Sequence, residues 1–138
     1  MSMQDLRLQA GRSPDALAVV CGDRRLRYAD LESLANRLAA VIRGSGLQRG
    51  DHVVAVLGNR PELLALAWAA WRSGVYLTPL STALAPPELA RLIEHCDARL
   101  VLADGALPAL VSGLPARVNL PADTLRWLCL GGELDVPW

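Results

Sequence analysis

The run HVVAVLG, residues His52–Gly58, constrains the fold more strongly than any other stretch because it is apolar on both faces. Successive side chains of a strand point to opposite sides, so a run without alternation must be covered from both sides. Strands of parallel sheets are buried in this way, with helices packed on each face. We therefore predict that His52–Gly58 is a central parallel strand, entered through a turn at Gly50 and Asp51.

The segments on either side of this strand have helical periodicity. Apolar residues that recur every three or four positions predict a helix that ends at the GSG of Gly44–Gly46. These residues are Leu31, Leu34, Ala35, Leu38, Val41 and Ile42. Asp30 lies in the first turn, where the helix dipole favours an anion. After the strand, Pro61 opens a second helix, and the nearly uniform apolarity of Leu63–Trp71 predicts that it is deeply buried.

The stretch WRSGVYLTPLS, Trp71–Ser81, predicts a sharp helix end followed by a short strand. Gly74 can take the left-handed conformation that closes a helix without a Cβ clash. Pro79 has no backbone N–H, so Tyr76–Leu80 is expected to be a short strand that leaves the sheet.

A hairpin is predicted near the N-terminus, with ALAVVCG at Ala16–Gly22 as one strand and Leu26–Tyr28 as its returning partner. Beyond Ser81, Pro86–Glu88 begin a third helix whose apolar face is formed by Leu89, Leu92, Ile93 and Cys96. A strand follows at Arg99–Asp104. The shorter elements predicted after it are a helix over Ala106–Val111 interrupted by Pro108, a strand over Arg117–Leu120, and a last strand over Arg126–Leu130 ending at Gly131 and Gly132.

This alternation of strands and helices predicts the fold class. Parallel neighbours need crossover connections, and right-handed crossovers place helices on the faces of the sheet. We predict an α/β fold, with a mainly parallel layered sheet, helices on both faces and a small N-terminal hairpin. Residues 1–138 are expected to form a single domain, because this length is typical of one domain.

Charge and cysteine content exclude several classes of protein. Basic and acidic residues number 14 each, so no net field draws the chain to nucleic acid. The longest uncharged apolar run, Leu63–Trp71, is far shorter than the roughly 20 residues that span a bilayer. Cys21, Cys96 and Cys129 are odd in number and widely spaced, which indicates neither disulfides nor a zinc site and favours a cytoplasmic location.

The candidate motifs favour structural roles. GSGLQRG at Gly44–Gly50 follows a helix, whereas a dinucleotide-binding fingerprint follows a strand. LGNRPE at Leu57–Glu62 has the position of an anion site at a helix N-terminus, but Arg60 is as well explained as a solvated residue. His52 and His95 have no partner at metal-ligand spacing. The residues taken alone therefore predict no catalytic constellation and no metal site.

Three pieces of the chain, in order and spacing, resemble the N-terminal part of the adenylate-forming superfamily, which includes acyl-CoA synthetases, nonribosomal peptide synthetase adenylation domains and luciferases. The pieces are LRYADL at Leu26–Leu31, RGDHVVAVLGN at Arg49–Asn59 and RSGVYLTPLS at Arg72–Ser81. The resemblance covers about residues 13–104. It implies a parent enzyme that uses ATP and magnesium to form an acyl-adenylate and passes the acyl group to coenzyme A or a pantetheine carrier.

The motifs that carry this chemistry in the family do not occur in the sequence. They include a phosphate loop with a lysine and a second lysine near the C-terminus, and this chain contains no lysine at all. Without an ammonium group, it cannot stabilise a phosphate as those lysines do. We therefore expect this chain alone to have no cofactor, no catalytic or metal-binding residue and no activity.

The resemblance places Ser81, Thr82 and Asn59 on the rim of the substrate and thiol channel. Ala83 stands where some acyl-CoA ligases carry a basic residue near the coenzyme A phosphates, which weakens the case for a coenzyme A role of this loop. Arg27 and Asp30 stand where the family often has the threonine and glutamate of a capping box, so the helix cap is expected to be weaker by about 1 kcal/mol.

Two functional hypotheses follow. The favoured one is the N-terminal segment of an ATP-dependent acyl-CoA synthetase or related adenylating ligase, whose partner is the remainder of that enzyme in cis or in trans. The alternative is a stand-alone interaction or scaffold domain derived from such an enzyme. In either case, exposed apolar surface is expected to favour self-association, and neither nucleic acid nor a membrane is an expected partner.

Overall fold

The computed structural model describes residues 4–131, with side chains from Leu6 onward. In chain order the elements are α1 (Gln4–Arg12), β1 (Leu17–Cys21), β2 (Arg24–Arg27), α2 (Tyr28–Gly44), β3 (His52–Val56), α3 (Pro61–Ser73), β4 (Tyr76–Pro79), α4 (Pro86–His95), β5 (Ala98–Asp104), α5 (Pro108–Val111) and β6 (Arg126–Leu130). The chain divides into two compact units. The helix unit contains α1, β1, β2, α2 and α3, and the sheet unit contains β3, β4, α4, β5, α5 and β6.

The N-terminal hairpin of the helix unit is confirmed, with β1 and β2 paired antiparallel. Cys21 pairs with Arg24 around a tight turn, and the register shifts between Leu17 and Val19. The returning strand begins at Arg24, two positions earlier than predicted, because Arg24 already pairs with Cys21, and it ends at Arg27 because Tyr28 starts α2. Helix α1 precedes the hairpin and had not been predicted.

Helix α2 begins with half of a capping box. Asp30 Oδ2 accepts a hydrogen bond from the backbone N–H of Arg27 at 2.9 Å. Arg27 is extended and makes no side-chain cap bond, because a guanidinium has only donors. The departure from the usual threonine therefore removes one of the two reciprocal bonds.

Helix α3 runs from Pro61 to Ser73 and is closed by Gly74, which is left-handed at φ 70° and ψ 25° as predicted. The prediction that this helix is deeply buried was wrong for one of its faces. Ala65 and Leu66 are fully buried, whereas the side chains of Leu64 and Trp71 are 43% and 55% exposed. These two residues are seven positions apart and share a helix face, which uniform apolarity could not single out.

The sheet unit contains a four-stranded parallel sheet in the order β4-β3-β5-β6. Strand β3 is central, and its consecutive residues Val53 and Val54 point to opposite faces and are both fully buried. The α/β class, the parallel sheet and the hairpin are thus confirmed. Among residues 47–58 and 75–131, β4 and β6 form the two edges of the sheet.

Edge strand β4 explains the position of Pro79. The backbone N–H groups of Tyr76 and Leu80 donate to the carbonyls of Asp51 and Ala55 at 2.9 and 2.8 Å. The N–H groups of alternate residues therefore point toward β3. Pro79 lies at a position whose N–H would point away from β3, so the ladder loses no donor there. The predicted short strand is confirmed, and the structure places it at an edge of the sheet.

Helix α4 packs Leu89 and Ile93 into a core with Val54 and Val101 of the sheet. The predicted apolar face was wrong at Leu92, which is 37% exposed, because the buried face turns toward Ala90 instead. Pro108 starts helix α5 rather than interrupting it, since the first helical position needs no N–H donor.

The strand predicted over Arg117–Leu120 does not form. The N–H groups of Arg117 and Val118 both donate to the carbonyl of Leu114, at 2.9 and 3.2 Å, and that of Asn119 donates to Glu94 Oε1 at 2.6 Å. These donors are therefore used in a turn and cannot enter a ladder. Strand β6 is confirmed at Arg126–Leu130 and is followed by Gly131 at φ 67°, while Gly132 lies outside the described residues.

Candidate functional site

The four parallel strands of the sheet unit end at one edge, where open α/β sheets bind their ligands. The strand order reverses between β3 and β5: the chain continues from β3 to β4 on one side, and from β5 to β6 on the other. Such a reversal defines the favoured position for a ligand crevice at the carboxyl ends of the strands.

Asp104, the last residue of β5, lies at this reversal and is only 4% exposed. Its Oδ2 accepts the backbone N–H of Gly58 at 2.9 Å, and its Oδ1 accepts that of Ala106 at 3.0 Å. Among residues 6–131 it is the one charged residue that is buried. From the sequence, Asp104 is predicted only as a strand end; the overlooked signal is a carboxylate at the end of an apolar strand and directly before a glycine.

The exits of β5 and β6 approach each other closely through backbone atoms. A Cβ on Gly105 would lie 1.4 Å from the carbonyl oxygen of Gly131, and the N–H of Gly105 donates to the carbonyl of Leu130 at 3.2 Å. A Cβ on Gly58 would lie 3.3 Å from Asp104 Oδ2. The exit of β5 therefore requires glycine, and Gly131 at φ 67° makes the exit of β6 favour it, whereas a Cβ on Gly58 would need only a small shift of Asp104.

Ser81 and Thr82, two of the three predicted rim residues, share one turn after β4 in the sheet unit. Ser81 is exposed, and its Oγ accepts a hydrogen bond from the N–H of Ala83 at 3.2 Å. Asn59, the third, belongs to the helix unit; its side chain is exposed and its carbonyl accepts the thiol of Cys21 at 3.2 Å. A role in ligand binding remains a prediction for all three.

The first turn of α3 contains an acidic side chain, Glu62, that is paired with two arginines. Arg24 donates to both carboxylate oxygens of Glu62, at 2.8 and 3.0 Å, and Arg60 Nε donates to Oε2 at 2.9 Å. Burial alone would raise the pKa of Glu62, but the hydrogen bonds from Arg24 and Arg60 lower this pKa to about 2. Glu62 and the two arginines thus form a charge cluster within the helix unit, and Arg60 is not simply solvated.

The arginine of the RSG motif also has a structural partner. Arg72 Nη1 donates to Asn36 Oδ1 at 2.7 Å, and its Nη2 donates to Glu32 Oε2. Both partners lie on α2, so Arg72 ties α3 to α2. The geometry explains this part of the motif without a ligand.

Histidines and cysteines provide no metal site in the part of the chain that the structure describes. His52 stacks on Tyr76 with ring centroids 4.9 Å apart, and His95 is exposed. Cys21, Cys96 and Cys129 are free thiols.

Two open depressions lie away from the carboxyl edge. One, of about 650 Å³, lies along α1 and α2 and includes Arg7, Ser33 and Arg37. The other, of about 370 Å³, lies at the amino edge of the sheet beside Asp51 and Asp97. Neither is lined by Ser81, Thr82 or Asn59.

The residues at the carboxyl edge do not fit ATP by themselves. The N–H groups of Gly58 and Ala106, which could have received a phosphate, already bond to Asp104. A buried carboxylate at the same point would also repel a phosphate.

A parallel sheet with its strand order reversed beside β3 defines the class of open α/β sheets that bind ligands at their carboxyl edge. The model of the AMP-binding enzyme family matches residues 6–128, so this chain belongs to that family. Members of this family use ATP. No helix within residues 4–131 is long and apolar enough to cross a membrane.

Relatives and solved structures agree with this assignment. The chain is 29% identical over 125 residues to the long-chain-fatty-acid–CoA ligase FadD13 of Mycobacterium tuberculosis, covering 89% of this chain and 25% of that protein. It is 30% identical over 137 residues to the fatty acid–[acyl-carrier-protein] ligase ScoC of Streptomyces coeruleorubidus, covering 99% of this chain and 25% of that protein. The inhibitor-bound N-terminal domain of FACL13 from M. tuberculosis superposes with a TM-score of 0.81 at 28% identity, over 93% of this chain and 33% of that one.

The chain therefore spans about a quarter of the length of these curated relatives. It corresponds to the N-terminal part of acyl-CoA ligases and related adenylating enzymes.

Proposed function

We propose that this chain is the N-terminal segment of an ATP-dependent acyl-CoA synthetase or a related carboxylate-adenylating ligase. The observation that carries the proposal is the family match over residues 6–128, combined with relatives about four times as long. The named relatives join fatty acids to coenzyme A or to a carrier protein, which favours an acid and a thiol as the substrates of the whole enzyme.

On this proposal the segment does not itself bind ATP or form an adenylate. The chain has no lysine, and the backbone donors at its sheet reversal are held by Asp104. Adenylation needs donors and a metal aimed at the charge that develops on the phosphates. ATP, magnesium and the thiol acceptor would therefore be bound by the remainder of the enzyme.

The segment instead contributes part of the sheet and one wall of the cleft. Ser81, Thr82 and Asn59 would lie on the rim of the substrate and thiol channel, a role that is compatible with the exposure of Ser81 and Asn59 and the half-buried position of Thr82. The partner of the segment would be the remainder of the enzyme, in cis or in trans. The three free thiols favour a reducing compartment, and we propose the cytoplasm.

The test compares this 138-residue chain with the product of the same reading frame continued past Trp138. We expect the 138-residue chain to show no pyrophosphate exchange with any of a panel of carboxylic acids and no heat of binding with magnesium and ATP. The longer product should show both activities with at least one fatty or aromatic acid. Micromolar ATP binding by the short chain would refute its dependence on the remainder, and a frame that stops at Trp138 would favour the scaffold alternative.

A further inference from the structure

We propose that Asp104 is a positioning residue, whose carboxylate fixes the exits of β3 and β5 relative to each other at the ligand edge of the sheet. This inference rests on the proposed function in one respect, namely that this edge forms part of the cleft of the enzyme. The hydrogen bonds that define the role lie within the sheet unit.

The backbone ladder between β3 and β5 ends before the strands leave the sheet. Its last residue pair is Val56 and Ala103. Asp104 Oδ2 reaches the N–H of Gly58, so the carboxylate extends the connection two residues beyond the ladder on the β3 side. Because β3 and β5 continue toward opposite sides of the sheet, this connection lies where their paths separate.

Burial makes this connection obligatory rather than incidental. Asp104 is 4% exposed, so its carboxylate loses the favourable free energy of hydration. Hydrogen bonds within the protein must compensate for that loss. Charge-assisted bonds from backbone N–H groups are stronger than neutral ones, and each carboxylate oxygen has one. The absence of a Cβ on Gly58 spares Asp104 Oδ2 a tight contact of 3.3 Å.

Asp104 would therefore act through the backbone of Gly58 and Ala106 rather than by touching a substrate. Because its carboxylate accepts these two N–H groups, they are not available to bind a phosphate. The same bonds fix the position of the loops that follow β3 and β5. Loop position matters at such an edge, because small displacements of positioning groups reduce the rate of a reaction strongly.

The first test needs no variant. In isotope-labelled protein, we expect scalar couplings across the hydrogen bonds that join the Gly58 and Ala106 amide nitrogens to the Asp104 side-chain carboxyl carbon. Both amide protons should also exchange with solvent more slowly than those of exposed loops. The absence of both couplings, together with loop-like exchange at both amides, would overturn the proposal.

Variants separate positioning from general stability. Asp104→Asn keeps one acceptor oxygen, so one of the two amides should keep its slow exchange while the other exchanges about tenfold faster, as expected for the loss of one bond. Asp104→Ala should release both amides. The control is Asp51→Asn, because Asp51 Oδ2 accepts the N–H of Gln48 at 2.7 Å at the opposite edge and should leave Gly58 and Ala106 unchanged.

A purely structural role predicts a different result, in which all core amides of Asp104→Asn exchange faster together and Gly58 and Ala106 are not singled out. That outcome would refute the proposal. If Asp104→Ala does not fold, the wild-type couplings and the asparagine variant still decide. These readouts do not depend on pyrophosphate exchange, so the proposed function could fail while the positioning role stands.

Discussion

Gly105 shows how one absent Cβ lets two neighbouring strands leave the sheet side by side. Any side chain here would meet the backbone of Gly131, with its Cβ 1.4 Å from the carbonyl oxygen and 2.5 Å from the carbonyl carbon. The Cys129 sulfur would be 2.6 Å away. Backbone atoms cannot move aside as a flexible side chain can, so the exits of β5 and β6 would have to separate.

Gly105→Ala should therefore destabilise the protein by about 3 kcal/mol or more, which is roughly 10 °C in Tm. The matched control is Gly44→Ala at the end of α2, where a Cβ would meet nothing within 4 Å. That change should be neutral or stabilising, since alanine is the better helix former. Thermal unfolding of both variants followed by circular dichroism measures the difference, and equal Tm values would contradict the close approach.

At the scale of elements, the Glu62 cluster joins the hairpin to α3 within the helix unit. Arg24 lies on β2 and Glu62 in the first turn of α3. The side chain of Glu62 is 13% exposed and that of Arg24 is 50% exposed, so solvent screens part of the attraction. The contact also raises the pKa of Arg24.

Stability should depend on pH through this pair. The pKa of Glu62 falls from an ordinary value of 4.5 to about 2 on folding, so the stabilisation is fully present above pH 4.5 and is lost as the pH falls toward 2. We expect a double-mutant cycle of Arg24→Gln and Glu62→Gln to give a coupling free energy of roughly 1 kcal/mol near neutral pH, discounted for screening. Urea unfolding at neutral pH and again below the folded-state pKa measures it. A coupling that did not shrink in acid would show that the charge of Glu62 is not its source.

At the scale of the whole molecule, the helix unit exposes two large apolar side chains on one helix face. Leu64 and Trp71 share one face of α3, and Trp71 stacks on Trp68 with ring centroids 6.1 Å apart, which holds its ring in place. A pre-ordered aromatic ring costs little entropy when it is buried in an interface. We propose that this face forms part of the predicted self-association surface.

We expect this chain alone to self-associate reversibly and Leu64→Gln or Trp71→Gln to weaken the association about tenfold or more, as for removal of an apolar contact. Leu92→Gln is the matched control, since Leu92 is also partly exposed but lies on α4 of the sheet unit. Sedimentation velocity across a wide concentration range gives the association constants. An association that is unaffected by either α3 change, or equally weakened by Leu92→Gln, would place the surface elsewhere.

The sequence by itself determined those elements whose signals are local. The uniform apolarity of His52–Gly58 indicated a strand buried on both faces. Gly74 and Pro79 marked a helix end and a short strand, because each limits backbone geometry at its own position. The order of the motifs also indicated the family, and the match of the family model to residues 6–128 confirms it. Local apolar content could not indicate which face of α3 stays exposed, nor that Arg117–Leu120 form a turn whose bonds run to Leu114 and Glu94.

Only the tertiary structure decided the chemistry of the carboxyl edge. Gly58 and Asp104 are 46 positions apart, and nothing in either local sequence shows that a carboxylate will meet that N–H. The close approach of Gly105 to Gly131 and the ion pair of Arg24 with Glu62 likewise join distant segments. Such contacts depend on strand order and register, which are set by the packing of the whole chain, whereas periodicity and turn residues act within a few positions of one another.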